Sequence, residues 1–345
     1  MSLAADVEAA FAPEGVLSRA EDHFVPRQGQ VDMALAVATA IEGAYPLVVE
    51  ASTGVGKTYA YLVPALLSGE RVLLSTATKA LQDQLFGRDL PRLVEILGLP
   101  TRTALLKGRA SYLCLHRMTL ARHEAQVSDA ASLRALGRIE QWSQATRTGD
   151  LAELPGLDER SPLIPLVTST RDNCLGSACP QFRACHVNLA RREAMGADVV
   201  VINHHLFFAD LSVRESGVAE LLPSVRIAIF DEAHQLNETG VQFLGTQLST
   251  GQLLDFCRDT LAAGLQWARG LVDWQGVAGA VEQASRHLRL CAGRQYPGTK
   301  LRWVQTAPEG LDGTEWTQAL EAVHAACLQL CAALETVSEI APDFV

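Results

Sequence analysis

Two stretches of this sequence carry residue types and spacings that could handle a nucleoside triphosphate. Ala51-Ser-Thr-Gly-Val-Gly-Lys-Thr58 fits the phosphate-loop pattern except at Ala51, where Gly is usual. Successive backbone N–H groups of Thr53, Gly54, Val55, Gly56, Lys57 and Thr58 would wrap phosphate oxygens, aided by the positive end of a following helix. Lys57 would reach the β- and γ-phosphates of ATP, and the Thr58 hydroxyl would ligate Mg²⁺. Far downstream, Phe230-Asp-Glu-Ala-His234 supplies the complement. Asp231 would hold the Mg²⁺ shell, and Glu232 would orient and deprotonate the attacking water. An Asp at the end of a strand also describes a plain helix cap; its pairing with a phosphate loop favours the catalytic reading. One helix ahead of the loop, Arg27 and Gln30 could read the adenine edge and its neighbours, although such a pair is also common on protein surfaces.

The second chemistry is thiol chemistry. Cys174, Cys179 and Cys185 have four and five residues between them, and Cys114 lies sixty positions before Cys174. Zinc sites favour tighter pairs, and a thiolate quartet suits zinc or an iron–sulfur cluster alike. Spacing therefore leaves open which metal binds, and whether one binds at all. His186, beside Cys185, is the rival ligand. Of the eight cysteines, Cys327 and Cys331 share a helix face among Ala and Leu and read as small apolar residues. Cys257 and Cys291 have no partner spacing, and none of these four is assigned to metal.

Alternating strand and helix patterns must position these groups. Tyr45–Glu50 reads as a buried strand entering the phosphate loop, and Thr58–Leu67 as the helix leaving it. Arg71–Thr76, Thr103–Leu106, Ala197–Ile202 and Arg226–Phe230 read as further strands, with a helix over Lys79–Leu85. This alternation predicts an α/β fold with a parallel sheet covered on both faces. Roughly Lys107 to Met195 interrupts it with little strand character. Beyond Gly245 the pattern turns helical, most clearly over Leu320–Leu334.

Composition sets outer limits. The 345 residues suffice for two or three domains, and the mixture is that of a globular protein. A net charge of −10 gives no bulk support to nucleic-acid binding. Between Ala110 and Val200, however, ten arginines balance ten acids, a weak local sign of a phosphate-facing surface. Met1–Phe11 lacks the basic and apolar regions of a leader, and runs such as Val199–Ile202 fall far short of the roughly 20 apolar residues of a membrane span. A soluble, cytoplasmic chain without membrane contact is expected, with its cysteines reduced.

In order along the chain, Arg27-x-x-Gln30, Glu50–Thr58, Ser75–Leu85, Leu106–Cys114, Asn203-His-His-Leu206 and Asp231-Glu-Ala-His234 resemble the DinG/XPD branch of superfamily-2 DNA helicases, most nearly its YoaA-like members. Ser52 and Val55 stand where that family usually has Gly and Thr. The resemblance implies a RecA-like P-loop NTPase sheet with an inserted iron–sulfur domain and a following arch-like helical segment. The corresponding divisions are 1–106 and 197–245 for the first motor domain, 107–196 for the insertion and 246–345 for an incomplete arch. It implies a [4Fe–4S] cluster on Cys114, Cys174, Cys179 and Cys185, and ATP-driven 5′→3′ unwinding of single-stranded or forked DNA in replication and repair.

The second motor domain, with its arginine fingers, is absent from this reading, so the chain is expected to be the N-terminal part of a longer helicase. Alone it should hydrolyse ATP very slowly, and replication or repair proteins would dock through the missing half. Lys107, Arg109 and Tyr112, just before Cys114, would offer two cations and a ring to single-stranded DNA; a solvated loop describes them equally well. Thr76 and Thr78 would grip the DNA backbone, or cap the helix at Lys79. Asn203, His204 and His205 read as packing and capping residues. Two alternatives remain: an ATP- and DNA-binding module without unwinding activity, and a zinc-stabilised nucleotide-dependent regulator.

Overall fold

Short runs of β-branched and leucine residues build a four-stranded parallel sheet. Its strands are β1 (Val72–Thr76), β2 (Thr103–Leu105), β3 (Val199–Asn203) and β4 (Ile227–Phe230), ordered β2-β3-β1-β4. Val72 stands opposite both Val199 and Ile227, so three strands start in register. Side chains alternate between faces as the pleat requires. Val72, Leu74, Val199 and Val201 enter one core, while Leu73, Val200 and Ile202 enter the other. The computed structural model describes residues 2–20, 24–123, 130–158, 161–170, 173–215, 221–246, 248–296 and 299–338. The chain divides into two compact units, Met1–Gly245 and Thr246–Val345.

In the first unit, α1 (Leu3–Phe11), α2 (Val16–Ala20), α3 (Gln28–Gly43) and α4 (Lys57–Leu67) supply most of the first core. There α4 buries an unbroken run from Ala60 to Leu66. Of these, Leu62, Val63 and Leu66 each contribute about 1.5–3 kcal/mol. The short α5 (Lys79–Gln84) passes through a π-helical turn at Leu85–Asp89 into α6 (Leu90–Leu97), which closes this layer through Leu90 and Leu93.

The interruption carries its own small core of Leu113, Leu136, Ile139, Leu151, Leu163 and Val167. Around it lie α7 (Leu115–His123), α8 (Ala130–Ser143) and α9 (Ile164–Val167). Among the described residues its only β pairing is an isolated bridge between Tyr112 and Asp150. The chain returns to the sheet through α10 (His186–Gly196), β3 and α11 (His204–Glu215), whose Ala194 and Leu206 cover the second face. After β4 comes α12 (Leu236–Leu244).

The second unit is helical: α13 (Thr250–Trp267), α14 (Trp274–Cys291) and α15 (Gly313–Ser338), with a minimal antiparallel pair, β5 (Trp303–Val304) and β6 (Ala307–Pro308). A Ser249/Gln252 capping box starts α13. Buried Trp274 donates its indole N–H to the Ala268 carbonyl at 2.9 Å. The helices share cores around Val281, Ala326 and Leu330, and around Leu288, Ala319 and Val323. At 26 residues, with a window of mean hydropathy 1.3, α15 is long and apolar enough to cross a bilayer. A search for unbroken apolar runs misses it, because Ala and Cys raise its hydropathy between scattered polar residues.

One strand expectation fails. Tyr45–Glu50 joins no strand, and it is exposed throughout, with Val48 95% accessible. A strand needs a neighbour for its backbone groups; among the described residues the sheet ends at β4, and the Tyr45 N–H bonds the Ala40 carbonyl at 3.2 Å instead of a strand partner.

Candidate functional site

The phosphate loop lies between this exposed segment and the start of α4. Gly54 and Gly56 have φ of 84° and 89°, the left-handed region where a Cβ is strained, and Gly56 is the N-cap of α4. That geometry turns the first-turn N–H groups of α4, and the positive end of its dipole, toward the loop. Gln30 lies buried beneath it and donates from Nε2 to the Gly56 carbonyl at 3.0 Å. A Cβ on Gly56 would collide with this amide, and Arg27 reaches toward Gly54. Both residues picked out for the base thus contact the loop itself, and the Gln30 N–H is already engaged in shaping it.

The acidic pair reaches the same place from the sheet. The Asp231 N–H bonds the Ser75 carbonyl at 2.9 Å, carrying the β4 pairing one residue beyond the strand. Glu232 then adopts φ 57°, and its Oε1 lies 3.5 Å from Lys57 Nζ while Oε2 lies 3.4 Å from His234 Nδ1. Burial, reinforced by the Glu232 carboxylate, pushes Asp231 above the usual carboxylate range against the opposing pull of Lys57. Residues 175 positions apart, Lys57 and Glu232, therefore meet with the cation facing the acids, the arrangement a cleft for phosphate and a divalent metal requires.

Sequence reasoning missed Tyr61. Its hydroxyl is buried without a formed hydrogen bond among the described residues, yet it faces Thr58 and Asp231 closely enough for both to bias its proton. Burial and the Asp231 charge push its pKa above the ordinary phenol value. The signal was available, since Tyr61 follows Thr58 by three on one helix and so shares its face.

Most of the residues picked out for DNA contact are otherwise engaged. Lys107 is only 4% exposed, and its Nζ lies 2.6 Å from carboxylate oxygens of both Asp83 and Asp150. Burial opposes its charge, but these two partners outweigh it and raise the pKa. Tyr112 is 3% exposed, its hydroxyl accepting the Lys107 N–H at 3.0 Å. Neither side chain can reach a nucleic acid from there. Thr76 is fully buried and donates to the Thr78 carbonyl at 3.2 Å; the Thr78 hydroxyl accepts the Leu81 N–H at 3.2 Å as the N-cap of α5. Arg109 alone keeps a partly accessible cation, reaching the Thr170 carbonyl at 3.4 Å. Asn203 caps α11 by accepting the Leu206 N–H at 2.9 Å, and buried His204 bonds Ser75 Oγ at 2.7 Å.

All four cysteines of the quartet lie in the interruption, with Cys174, Cys179 and Cys185 just ahead of α10. Cys114 immediately precedes α7 and Cys185 is the N-cap of α10, positions where helix ends favour an anionic sulfur. Cys179 and Cys185 each follow a single 3₁₀ turn, at Gly176–Ala178 and Phe182–Ala184. Burial raises the Cys114 thiol, the His116 and Arg117 amides lower it, and the Cys185 and Cys179 thiols stand near enough to raise it further. Arg191, beside Arg109, lies within electrostatic reach of Cys174 and Cys185. Cys114, Cys179 and Cys185 are thus electrostatic neighbours, and Arg191 and Arg109 stand near the same group. His186 is buried against Gly149.

Comparison with known proteins agrees with this geometry. The DEAD/DEAH box helicase family model matches residues 32–119. It is similar to the ATP-dependent DNA helicase YoaA of Haemophilus influenzae, 48% identical over 249 residues that cover 72% of this chain and 39% of that protein. YoaA of Escherichia coli K12 is 46% identical over 305 residues, 87% of this chain and 47% of the relative. The ATP-dependent helicase DinG of Mycobacterium tuberculosis H37Rv is 42% identical over 250 residues, 66% and 37% respectively. The chain spans less than half the length of each of these relatives.

Proposed function

We propose that this chain is the ATP-binding portion of a cytoplasmic DNA helicase of the DinG/YoaA type, which couples ATP hydrolysis to 5′→3′ movement along single-stranded DNA in replication-linked repair. The observation that carries the reading is the 3.5 Å approach of Lys57 to Glu232, which joins the phosphate loop to the acidic pair. When a triphosphate enters, Lys57 exchanges Glu232 for the β- and γ-phosphate oxygens. Glu232 is thereby freed to orient the attacking water and accept its proton, and Thr58 and Asp231 are the residues that would hold Mg²⁺. Residues 1–106 and 197–245 form the motor domain in this reading, and 246–345 an arch-like region.

Residues 107–196 are the iron–sulfur domain, with Cys114, Cys174, Cys179 and Cys185 holding one [4Fe–4S] cluster. The cluster ties together loops that have only a small apolar core of their own. Arg109, next to this site, is the cation offered to single-stranded or forked DNA, and repair proteins are partners of the whole helicase.

Titration with a fluorescent ATP analogue and Mg²⁺ tests the nucleotide site. Lys57→Ala removes a charge-assisted contact and should weaken binding on the order of tenfold or more; unchanged affinity rejects the assignment. Iron and sulfide content after anaerobic purification tests the cluster separately. Wild type should be brown and Cys179→Ser depleted, whereas one equivalent of zinc without colour removes the cluster and leaves the nucleotide reading standing.

A further inference from the structure

The second unit holds a group of metal-capable side chains that neither the nucleotide site nor the cysteine quartet uses. His287 and Cys291 stand four residues apart near the end of α14, and Glu315 lies in the first turn of α15. Cys291 Sγ is 4.0 Å from His287 Nδ1 and 3.6 Å from Glu315 Oε1, and the three donor atoms lie within 4.8 Å of one another. We propose that His287, Cys291 and Glu315 form a zinc site that fastens the end of α14 to the start of α15, with water in the fourth position.

Donor chemistry and spacing carry the proposal together. With Zn–S near 2.3 Å and Zn–N or Zn–O near 2.1 Å, a tetrahedral site puts sulfur about 3.5 Å from each of its fellow donors. One observed edge matches that value and the other exceeds it by an amount that a small side-chain rotation removes. A thiolate with an imidazole selects a borderline-soft ion such as zinc over Mg²⁺ or Ca²⁺, and the carboxylate completes a mixed set that zinc accepts. An i,i+4 pair on one helix face with a third ligand from a neighbouring helix needs no backbone movement.

The surroundings also suit a site. Asp312 Oδ1 accepts the Glu315 N–H at 2.9 Å and so fixes the start of α15. Cys291 and Trp316 pack on the buried core of Leu253, Leu288, Ala319 and Val323, which gives the metal an apolar floor. His287 and Glu315 are exposed, leaving an entry path from solvent. A metal here would tie together the two helix ends that the connection 292–312 joins, lowering the entropy of closing it.

Site-resolved thiol labelling tests this in the intact chain, because bulk metal content would also report the cysteine quartet. The protein is treated with iodoacetamide with and without micromolar Zn²⁺, and alkylation of each cysteine is followed by peptide mass spectrometry. Coordination withdraws the thiolate from reaction, so Zn²⁺ should slow labelling of Cys291 on the order of tenfold, with EDTA restoring it. Exposed Cys331 should show no such protection and serves as the internal control. His287→Ala and Glu315→Gln should each largely abolish the protection. Thermal unfolding by circular dichroism checks that each variant folds, and both substituted side chains are at the surface. Equal labelling of Cys291 with and without Zn²⁺ overturns the site, as does protection that persists undiminished in both variants.

Discussion

Glu232 sits at φ 57°, a region that a non-glycine residue occupies at a cost of about 1–3 kcal/mol. The strained turn aims its carboxylate back at Lys57 instead of onward along the strand. Tyr61 is the second residue held against its preference, with a buried hydroxyl that lacks a formed bond beside Thr58 and Asp231. Removing an orphaned hydroxyl while keeping the ring costs the fold little, because a buried unsatisfied group carries a desolvation penalty of about 1–3 kcal/mol. Tyr61→Phe should therefore leave the melting temperature unchanged or raised. If the hydroxyl completes the shell around Mg²⁺, the same variant should need more Mg²⁺ to bind a fluorescent ATP analogue. A variant that melts lower, with the Mg²⁺ requirement unchanged, would make Tyr61 a packing residue only.

At the scale of elements, Lys107 joins three parts of the first unit. It follows β2, and its ammonium meets Asp83 on α5 and Asp150 beside the small core of the interruption. Replacing it by Met leaves the buried Asp150 carboxylate without its cation, a loss of about 3 kcal/mol on the pattern of broken buried pairs. Its raised pKa fixes the sign of the pH dependence. The contribution is complete below the unfolded lysine value of about 10.4 and disappears as pH rises through the higher folded value. Thermal melts of Lys107→Met and wild type should differ at neutral pH and converge in strong alkali; equal melts at neutral pH contradict the assignment.

This residue also shows where sequence stops being legible. A cation and a ring just before a cysteine look the same whether they face solvent or acids 24 and 43 residues away. By contrast β1, β2 and β3 were readable because their apolar runs are short, bounded and packed on both faces, and β4 because its run is short and bounded, although Ala228 is exposed. The phosphate loop and acidic pair were readable because their chemistry is fixed by local order. The donors on α14 and α15 were not, since Cys291 finds its partners one turn back and on the next helix.

At the scale of the molecule, the apolar run at Tyr45–Glu50 reads as a core strand, because local pattern cannot reveal whether a neighbour exists to receive it. The sheet ends at β4 on that side of its order, and five successive side chains from Tyr45 to Val49 meet water. An open strand edge and a β-prone apolar segment on one molecule are mutually complementary, so two copies can each offer the other what both lack. The consequence concerns handling and quality control: this chain in isolation should self-associate with rising concentration, by strand addition, and the association should resist salt. Val48→Lys places a charge on the most accessible large apolar residue of the segment without emptying any core. Light scattering across a concentration series should show the variant staying monomeric where the parent chain grows in mass; identical curves would place the sticky surface elsewhere.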